Sequence, residues 1–489
     1  MITGAAPRLY NSLGRKLADF QPMEPGRVRL YTCGPTVYAY AHLGNMRPYV
    51  FSDTLRRYLE WKGLEVIQVV NITDVGHTVG DDEHGEDKVE VAARREQRSV
   101  WEVTKHYAEA FFRDIADLNV QHPTHTPLAS SYVPKMIEFA KVLHEKGYTY
   151  QIADGLYFDT ERSQGYGRLA LISMAGQQEG ARMQAVVDKR SKADFAVWRT
   201  ERGEKTRIVH WDSPWGPGVP GWHLECSVMS MDLLGEHFDI HTGGVDHREI
   251  HHVNEIAQSE AYLGDGRDWV PLWMHNEFLL VGSQKISKSA GRMPLLSDLI
   301  ESGIHPMAYR YFLLTAHYRQ QLDFTPAAID AAATALRRLL GRVATLGPLP
   351  EIATLEQLRS AVTPAALPLV ESIDEAVSED LNTPKLLALL NEALRGQLPD
   401  ADKAALAATA DTLLGLRLGE LTEDDLAPAQ ETSVDADRIE ALIQAREDAR
   451  RAKNWAEADR VRDELTALGI KITDTPDGPR WSVAVKRDQ

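Results

Sequence analysis

The run Arg27-Val28-Arg29-Leu30-Tyr31-Thr32-Cys33-Gly34-Pro35 opens the stretch on which the fold turns. Its first seven residues alternate polar and apolar side chains, the period of a strand, and Gly34-Pro35 ends it. A helical pattern follows from about Asn45 to Trp61, with Tyr49, Leu55, Leu59 and Trp61 as apolar bulk. Val66-Ile67-Gln68-Val69-Val70-Asn71-Ile72 reads as a second strand, nearly all apolar, as suits a parallel strand covered on both faces. Strand, helix, strand is the unit of a doubly wound α/β sheet.

The whole chain has 489 residues, too many for one core, and roughly 150 residues per domain predicts about three domains. With 43% hydrophobic and 26% charged residues, disordered, collagen-like and fibrous classes are excluded. No stretch nears the roughly 18 consecutive apolar residues of a membrane span. Met1 to Pro7 lacks a basic cluster followed by an apolar run, so a cytoplasmic protein without a membrane partner is expected. Two cysteines, Cys33 and Cys226, rule out a disulfide framework, and by themselves they read as buried thiols. The net charge of −17 argues against a general nucleic-acid coat but leaves room for a partner that meets a local basic face.

Residues 1–147 read as the first half of the α/β domain, with further helical patterns near Val100–Leu118 and Ser130–Lys146. Gly80 to Asp87 reads as an acidic loop expected to lie in solvent. Residues 148–220 change to short strands rich in Gly, Ser and charge, as in an inserted connective subdomain. The α/β texture resumes over 221–325, with a strand at His237–His241 leading into Gly243-Gly244. From Pro326 to 426 the Ala- and Leu-rich pattern predicts a helical bundle, and 427–437 is a linker. Within 438–489, Asp437 with Glu440 and Asn454 with Glu457 have capping-box spacing for two helices, and Gly469 closes the second. Ile470–Ile472 and Arg480–Val483 flank a turn and suggest a hairpin. This tail is nearly neutral, with 11 Lys and Arg against 10 Asp and Glu, which makes it a candidate nucleic-acid face.

Three motifs carry chemistry. His42-Leu43-Gly44-Asn45 opens the first helix, where free N–H groups and the dipole favour phosphate and glycine admits a nucleotide closely. Lys285-Ile286-Ser287-Lys288-Ser289 puts two lysines and two hydroxyls in a glycine-flanked loop able to grip a triphosphate. In isolation each also reads blandly, as a plain helix start and a solvated basic loop. The third set is Cys33, Cys226 within Gly221-Trp222-His223-Leu224-Glu225-Cys226-Ser227, and His251 with Glu255, four apart on one helix face. Two thiolates, an imidazole and a carboxylate suit zinc, although spacing alone leaves open a structural zinc or none.

The histidine–glycine helix start after the first strand and the lysine–serine loop after the last are the paired signature of class I aminoacyl-tRNA synthetases, which the chain resembles. Tyr31-Thr32-Cys33-Gly34-Pro35-Thr36-Val37-Tyr38, the Gly-Trp-His-Leu-Glu-Cys segment and His251-His252-Val253-Asn254-Glu255-Ile256-Ala257-Gln258 narrow the resemblance to cysteinyl-tRNA synthetases, from about residue 8 to the tail. It implies a Rossmann-type doubly wound sheet with an inserted subdomain, then a helical bundle on the tRNA side and a small C-terminal anticodon-binding helix-hairpin domain. It also implies one zinc held by Cys33, Cys226, His251 and Glu255, with His252 the near miss for the imidazole ligand. Thr73, Trp222 and Asp246 would contact the substrate, with Trp222 walling the pocket and Asp246 pairing with the α-ammonium. Gly34, Thr36, His42, Gly44, Asn45, Lys285 and Lys288 would surround ATP with its Mg2+, and His42 and Lys288 would be catalytic. The expected partners are L-cysteine, ATP and tRNA(Cys), and the chain is expected to be a monomer.

Departures from the family pattern fall at Val75-Gly76-His77-Thr78 with its long acidic loop, at Asp246-His247-Arg248-Glu249-Ile250 where apolar residues and proline are usual, at Val253 and at Ile286. They put His247 forward as an outer partner of the metal ligands. The nearest rival is an ATP-dependent ligase joining cysteine to an amino sugar, as in mycothiol-forming relatives, which should lack the tail. A non-catalytic zinc- or tRNA-binding module is the other, against which His42 and Lys288 stand.

Overall fold

The computed structural model of the chain describes residues 2–76, 87–170, 188–200, 208–281, 293–427, 436–452, 454–467, 470–475 and 478–483. Along the chain come β1 (Arg27–Thr32), α1 (Leu43–Trp61), β2 (Glu65–Val70), α2 (Trp222–Leu234), β3 (Ile240–Gly244), α3 (His251–Leu263) and β4 (Leu272–Asn276). The four strands form one parallel sheet in the order β4-β3-β1-β2. Arg27 to Thr32 pair with Glu65 to Val70 on one side of β1, and Leu30 to Thr32 pair with Ile240 to Thr242 on the other. Because side chains alternate along a strand, Val28 and Leu30 enter the core shared with Leu55 and Leu59 of α1. Tyr31 enters the opposite core, with Leu224 of α2 and Trp273 of β4. The chain leaves β1 toward β2 and later returns to β3 on the other side. A topological switch point therefore lies between β1 and β3, and ligands bind α/β sheets outside the carboxyl ends of strands at such points.

Two strand boundaries differ from the sequence expectation. β2 stops at Val70 because Asn71 turns its side chain to accept from the Gly34 N–H at 2.8 Å. Ile72 pairs instead in an isolated bridge with Leu128. The strand expected at His237–His241 begins at Ile240, since the Asp239 carboxylate accepts from the backbone N–H groups of Met23 and Arg29, at 2.6 and 2.8 Å, and holds the approach as a connection. The helices expected near 100–118 and 130–146 run Val100–Asp117 and Ala129–Glu145.

Between the sheet halves, Thr149–Ile152, Gly155–Phe158, Phe195–Thr200 and Gly218–Pro220 form a four-stranded antiparallel sheet that feeds directly into α2. Beyond Pro326 the helices Pro326–Ala344, Leu355–Ala361, Leu367–Ser378, Thr383–Arg395 and Asp400–Leu414 pack on one another, and their Leu336, Ile373, Leu390 and Leu413 join the core beneath α1. At the C-terminus, helices Ala436–Arg451 and Trp455–Ala467 precede the antiparallel pair Ile470–Thr475 and Gly478–Val483. The first of these helices starts at Ala436, one residue before Asp437. The second is capped by Asn454, whose side chain accepts from the Glu457 N–H at 3.4 Å. Gly469 and most of the linker lie outside the described residues.

A candidate metal centre beside a helix-capping histidine

Cys33 follows directly on β1, Cys226 sits one turn into α2, and His251 and Glu255 open α3. One ligand atom from each of the four lies within 4.8 Å of every other, and all four residues are buried. The four residues singled out as a set in the sequence are thus brought together. His251 Nε2 is 2.8 Å from Glu255 Oε1, yet that oxygen has no hydrogen bond of acceptable geometry and is an orphaned carboxylate oxygen in the interior. The Trp222 ring covers His251 with centroids 4.2 Å apart, and His223 Nδ1 is 2.9 Å from His251 Nδ1.

A second, overlapping set of donors shares two residues with the first: Cys33, His241, His252 and Glu255 also lie within 4.8 Å of one another. His252 Nε2 is 3.1 Å from Cys33 Sγ, and its Nδ1 is 2.7 Å from His275 Nε2. His275 Nδ1 in turn is 2.7 Å from Ser12 Oγ, and His241 Nε2 is 2.9 Å from Glu255 Oε2. Both histidines of the pair therefore face the centre, but only His251 belongs to the set holding both thiols. Sequence reasoning missed Ser12, His223, His241 and His275 as neighbours of the site, and no spacing pattern linked them. His247 sits as expected beside the ligands, its ring 5.3 Å from that of His251, with a buried Nδ1 that lacks a hydrogen-bond partner.

The electrostatics suit a cation. Burial alone would raise the Cys226 thiol, but the hydrogen bond with Cys33 and the charge of His251 bring it down to about 6. Cys33 moves the other way, well above an ordinary thiol, through burial and then through hydrogen bonding with the Cys226 thiol, which like it is free. Burial opposes the charge on Glu255, yet His241 and His251 hold the carboxyl down to about 2. Burial works against the charge on His251, but the charges of Glu255 and Cys226 together push it up to about 10. At neutral pH the protons thus stay on Cys33 and His251, and a divalent ion binding there would displace them.

On the neighbouring side of the crevice, His42 is the N-cap of α1. Its Nδ1 accepts from the Asn45 N–H and the Asn45 side chain accepts from the His42 N–H, both at 3.1 Å, a reciprocal capping box. Burial lowers the pKa of His42 and keeps it neutral, so with Nδ1 accepting, its proton sits on Nε2. A Cβ on Gly44 would press the His42 ring at 3.2 Å, and one on Gly34 would stand 1.5 Å from the Asn71 carbonyl oxygen. Thr36 and Thr73 pair in an isolated bridge, and the Thr73 hydroxyl donates to Glu225 Oε2 at 2.8 Å, so its proton is already committed. Asp246 is exposed just beyond β3, and its charge acts on both His42 and Cys33. Lys285 and Lys288 lie outside the described residues.

The fold has solved counterparts. The methionyl-tRNA synthetase of Mycobacterium tuberculosis bound by methionyl-adenylate aligns with a TM-score of 0.53 at 14% identity, covering 80% of this chain and 90% of that one. The LeuRS of Agrobacterium radiobacter K84, in a ternary complex with tRNA and LeuAMS, aligns at 0.58 and 12% identity, covering 85% and 87%. The model for class I (C) tRNA synthetase catalytic domains matches residues 19–334, which makes the chain a class I aminoacyl-tRNA synthetase. A cysteinyl-tRNA ligase anticodon-binding domain matches residues 436–481. The cysteine–tRNA ligase of Novosphingobium aromaticivorans is 47% identical, covering 98% of this chain and 97% of its own, and that of Zymomonas mobilis is 44% identical, covering 98% and 99%. The chain belongs to the cysteine–tRNA ligase family.

Proposed function

We propose that the chain activates L-cysteine with ATP to cysteinyl-adenylate and transfers the cysteinyl group to the 3′ end of tRNA(Cys). The observation that carries this reading is the meeting of two thiols, an imidazole and a carboxylate at the switch point of the sheet, beside a helix start capped by a neutral histidine. The match to an anticodon-binding domain favours tRNA over an amino sugar as acceptor.

The donor set fits zinc: two sulfurs, a nitrogen and a carboxylate within 4.8 Å of one another, with one oxygen of that carboxylate buried and satisfied by no hydrogen bond. One zinc ion held by Cys33, Cys226, His251 and Glu255 would supply a soft Lewis acid that prefers a thiolate to a hydroxyl. Serine and cysteine differ by one atom, and a pocket relying on shape alone separates such near-isosteres by only on the order of 100-fold. Trp222 walls this pocket, and Asp246 pairs with the α-ammonium.

In the first step a carboxylate oxygen of cysteine attacks the α-phosphorus of ATP, which enters as its Mg2+ complex, and pyrophosphate leaves. No protein nucleophile is needed; catalysis is placement and charge stabilisation. His42 donates its Nε2–H to a phosphate oxygen, joined by the Gly44 N–H in the first turn of α1, since the Leu43 N–H already donates to the Pro294 carbonyl and the Asn45 N–H to His42. Gly34 and Gly44 let the chain pass close against the Asn71 backbone and the His42 ring, and with Thr36 and Asn45 they hold the backbone around the nucleotide. Lys285 and Lys288, assigned from sequence, meet the charge gathering on pyrophosphate. A ribose hydroxyl of the terminal adenosine then attacks the acyl carbonyl and releases AMP.

Residues 1–147 and 221–325 act as the halves of the catalytic domain, 148–220 as the connective insert, 326–426 as the tRNA-side bundle and 438–489 as the anticodon-binding part, in a cytoplasmic monomer. Pyrophosphate exchange into ATP tests the activation step. Exchange should depend on cysteine and ignore serine, and on metal removal that preference should vanish. Metal-free protein that still rejects serine would refute the role given to the ion.

A further inference from the structure

Among the described residues, three large aromatic side chains stand well out in solvent: Tyr40, Trp101 and Trp455. Only Tyr40 belongs to the loop between β1 and α1, two residues before the phosphate-side His42. Tyr40 is 47% exposed yet firmly held. Its hydroxyl lies 3.0 Å from His106 Nε2, and its ring meets Tyr107 edge-on, with centroids 5.0 Å apart at 87°. His106 also stands at a steep angle to it, 72° at 5.7 Å. Tyr107 is anchored by donating its hydroxyl to Glu96 at 2.6 Å. The ring is thus fixed at its hydroxyl and along its edge by helix Val100–Asp117, while much of its surface stays in water.

A rigid aromatic surface left in water at the rim of an active site has few uses in packing. We propose that Tyr40 is a stacking shelf for an unpaired nucleotide at the 3′ end of the tRNA. This inference rests on the tRNA-charging reading. The second step needs the terminal ribose beside the adenylate, so the single-stranded end has to cross the rim of the crevice, and β1 and α1 are joined at that rim. Unstacked bases gain from any aromatic face irrespective of sequence, and a ring already immobilised loses little freedom on binding. Tyr40 acts on the acceptor strand and has no part in cysteine activation.

The test uses the full-length chain and a transcript of a cysteine-accepting tRNA, comparing Tyr40→Ala, Tyr40→Phe and Trp101→Ala with wild type in both charging and pyrophosphate exchange. Tyr40→Ala should lower kcat/KM for tRNA by about 5- to 150-fold, the range that loss of one base–aromatic stack gives, and leave exchange unchanged. Tyr40→Phe keeps the ring and should stay within about 3-fold of wild type, a small loss for the missing hydrogen bond. Trp101→Ala should leave both activities unchanged. The shelf is overturned if Tyr40→Ala charges normally, if exchange falls in step with charging, if Phe is as poor as Ala, or if Trp101→Ala loses charging equally. Wild-type protein that exchanges pyrophosphate but charges no tRNA would overturn the underlying function as well.

Discussion

Replacing Arg310 by methionine should loosen the joint between the catalytic sheet and the helical bundle. The Arg310 side chain is wholly buried. Its Nε donates to the Leu414 carbonyl at 2.6 Å, its Nη1 to the Leu118 and Asn119 carbonyls at 2.9 and 3.2 Å, and its Nη2 to Asp53 in α1. One guanidinium therefore ties α1, the end of helix Val100–Asp117 and the end of helix Asp400–Leu414. Removing one partner of a buried ion pair costs about 3–5 kcal/mol. Arg57 still donates to Asp53 at 2.7 Å, and the Gln121 N–H at 2.8 Å, which argues for the lower end. The carbonyls of Leu118 and Leu414 lose a donor, and an unsatisfied buried polar group costs about 1–3 kcal/mol. A net loss of about 5 kcal/mol is expected, or roughly 10–20 °C in Tm for a cooperative unit of 150–250 residues. Urea unfolding of Arg310→Met, Asp53→Asn and the double variant isolates the pair, because contacting residues are non-additive. A loss below about 1 kcal/mol, or full additivity in the cycle, would refute the idea that this pair holds the joint.

Asp114 is raised to about 6 by burial and then by the neighbouring charge of Asp117. A carboxyl with a raised folded-state pKa costs stability above that pKa and none below its unfolded value, so stability is lost as pH rises from about 4 to 6. Asp114→Asn should therefore stabilise by about 1–2 kcal/mol at pH 7.5, after discounting for partial exposure, and gain nothing below about pH 4; a gain independent of pH would contradict this. Gly34→Ala should abolish cysteine-dependent pyrophosphate exchange or prevent folding, since its Cβ would stand 1.5 Å from a backbone oxygen, and near-normal exchange would be inconsistent with that. His252→Ala should weaken metal binding by about 10–100-fold, as outer partners of ligands do, and His251→Ala by more, with a matching rise in the cysteine KM. Metal titration against a competing chelator checks this, and the reverse ranking would favour the donor set containing His241 and His252.

The β1–α1–β2 unit is legible in the chain because strand and helix impose different periods on their apolar residues, and these segments are long enough to show them. The errors were local. Asn71 and Asp239 turn their side chains to backbone N–H groups of segments distant in sequence, 37 residues away for Gly34 and 210 for Arg29, and so displaced the ends of two strands. Such competition between a side chain and the ladder leaves no periodic trace.

Residue chemistry already put forward four residues as a candidate metal set, the histidine at the first helix start and the order of strand and helix, since these depend on residue type and on neighbours a few positions apart. Only folding could decide that Cys33 and Cys226 meet, that a second quartet overlaps the first, and that Ser12, His275 and His252 stand in line behind Cys33. These residues come from different elements, and the order of strands in the sheet sets their distances. A contact across 219 residues is a property of topology, which no local pattern carries.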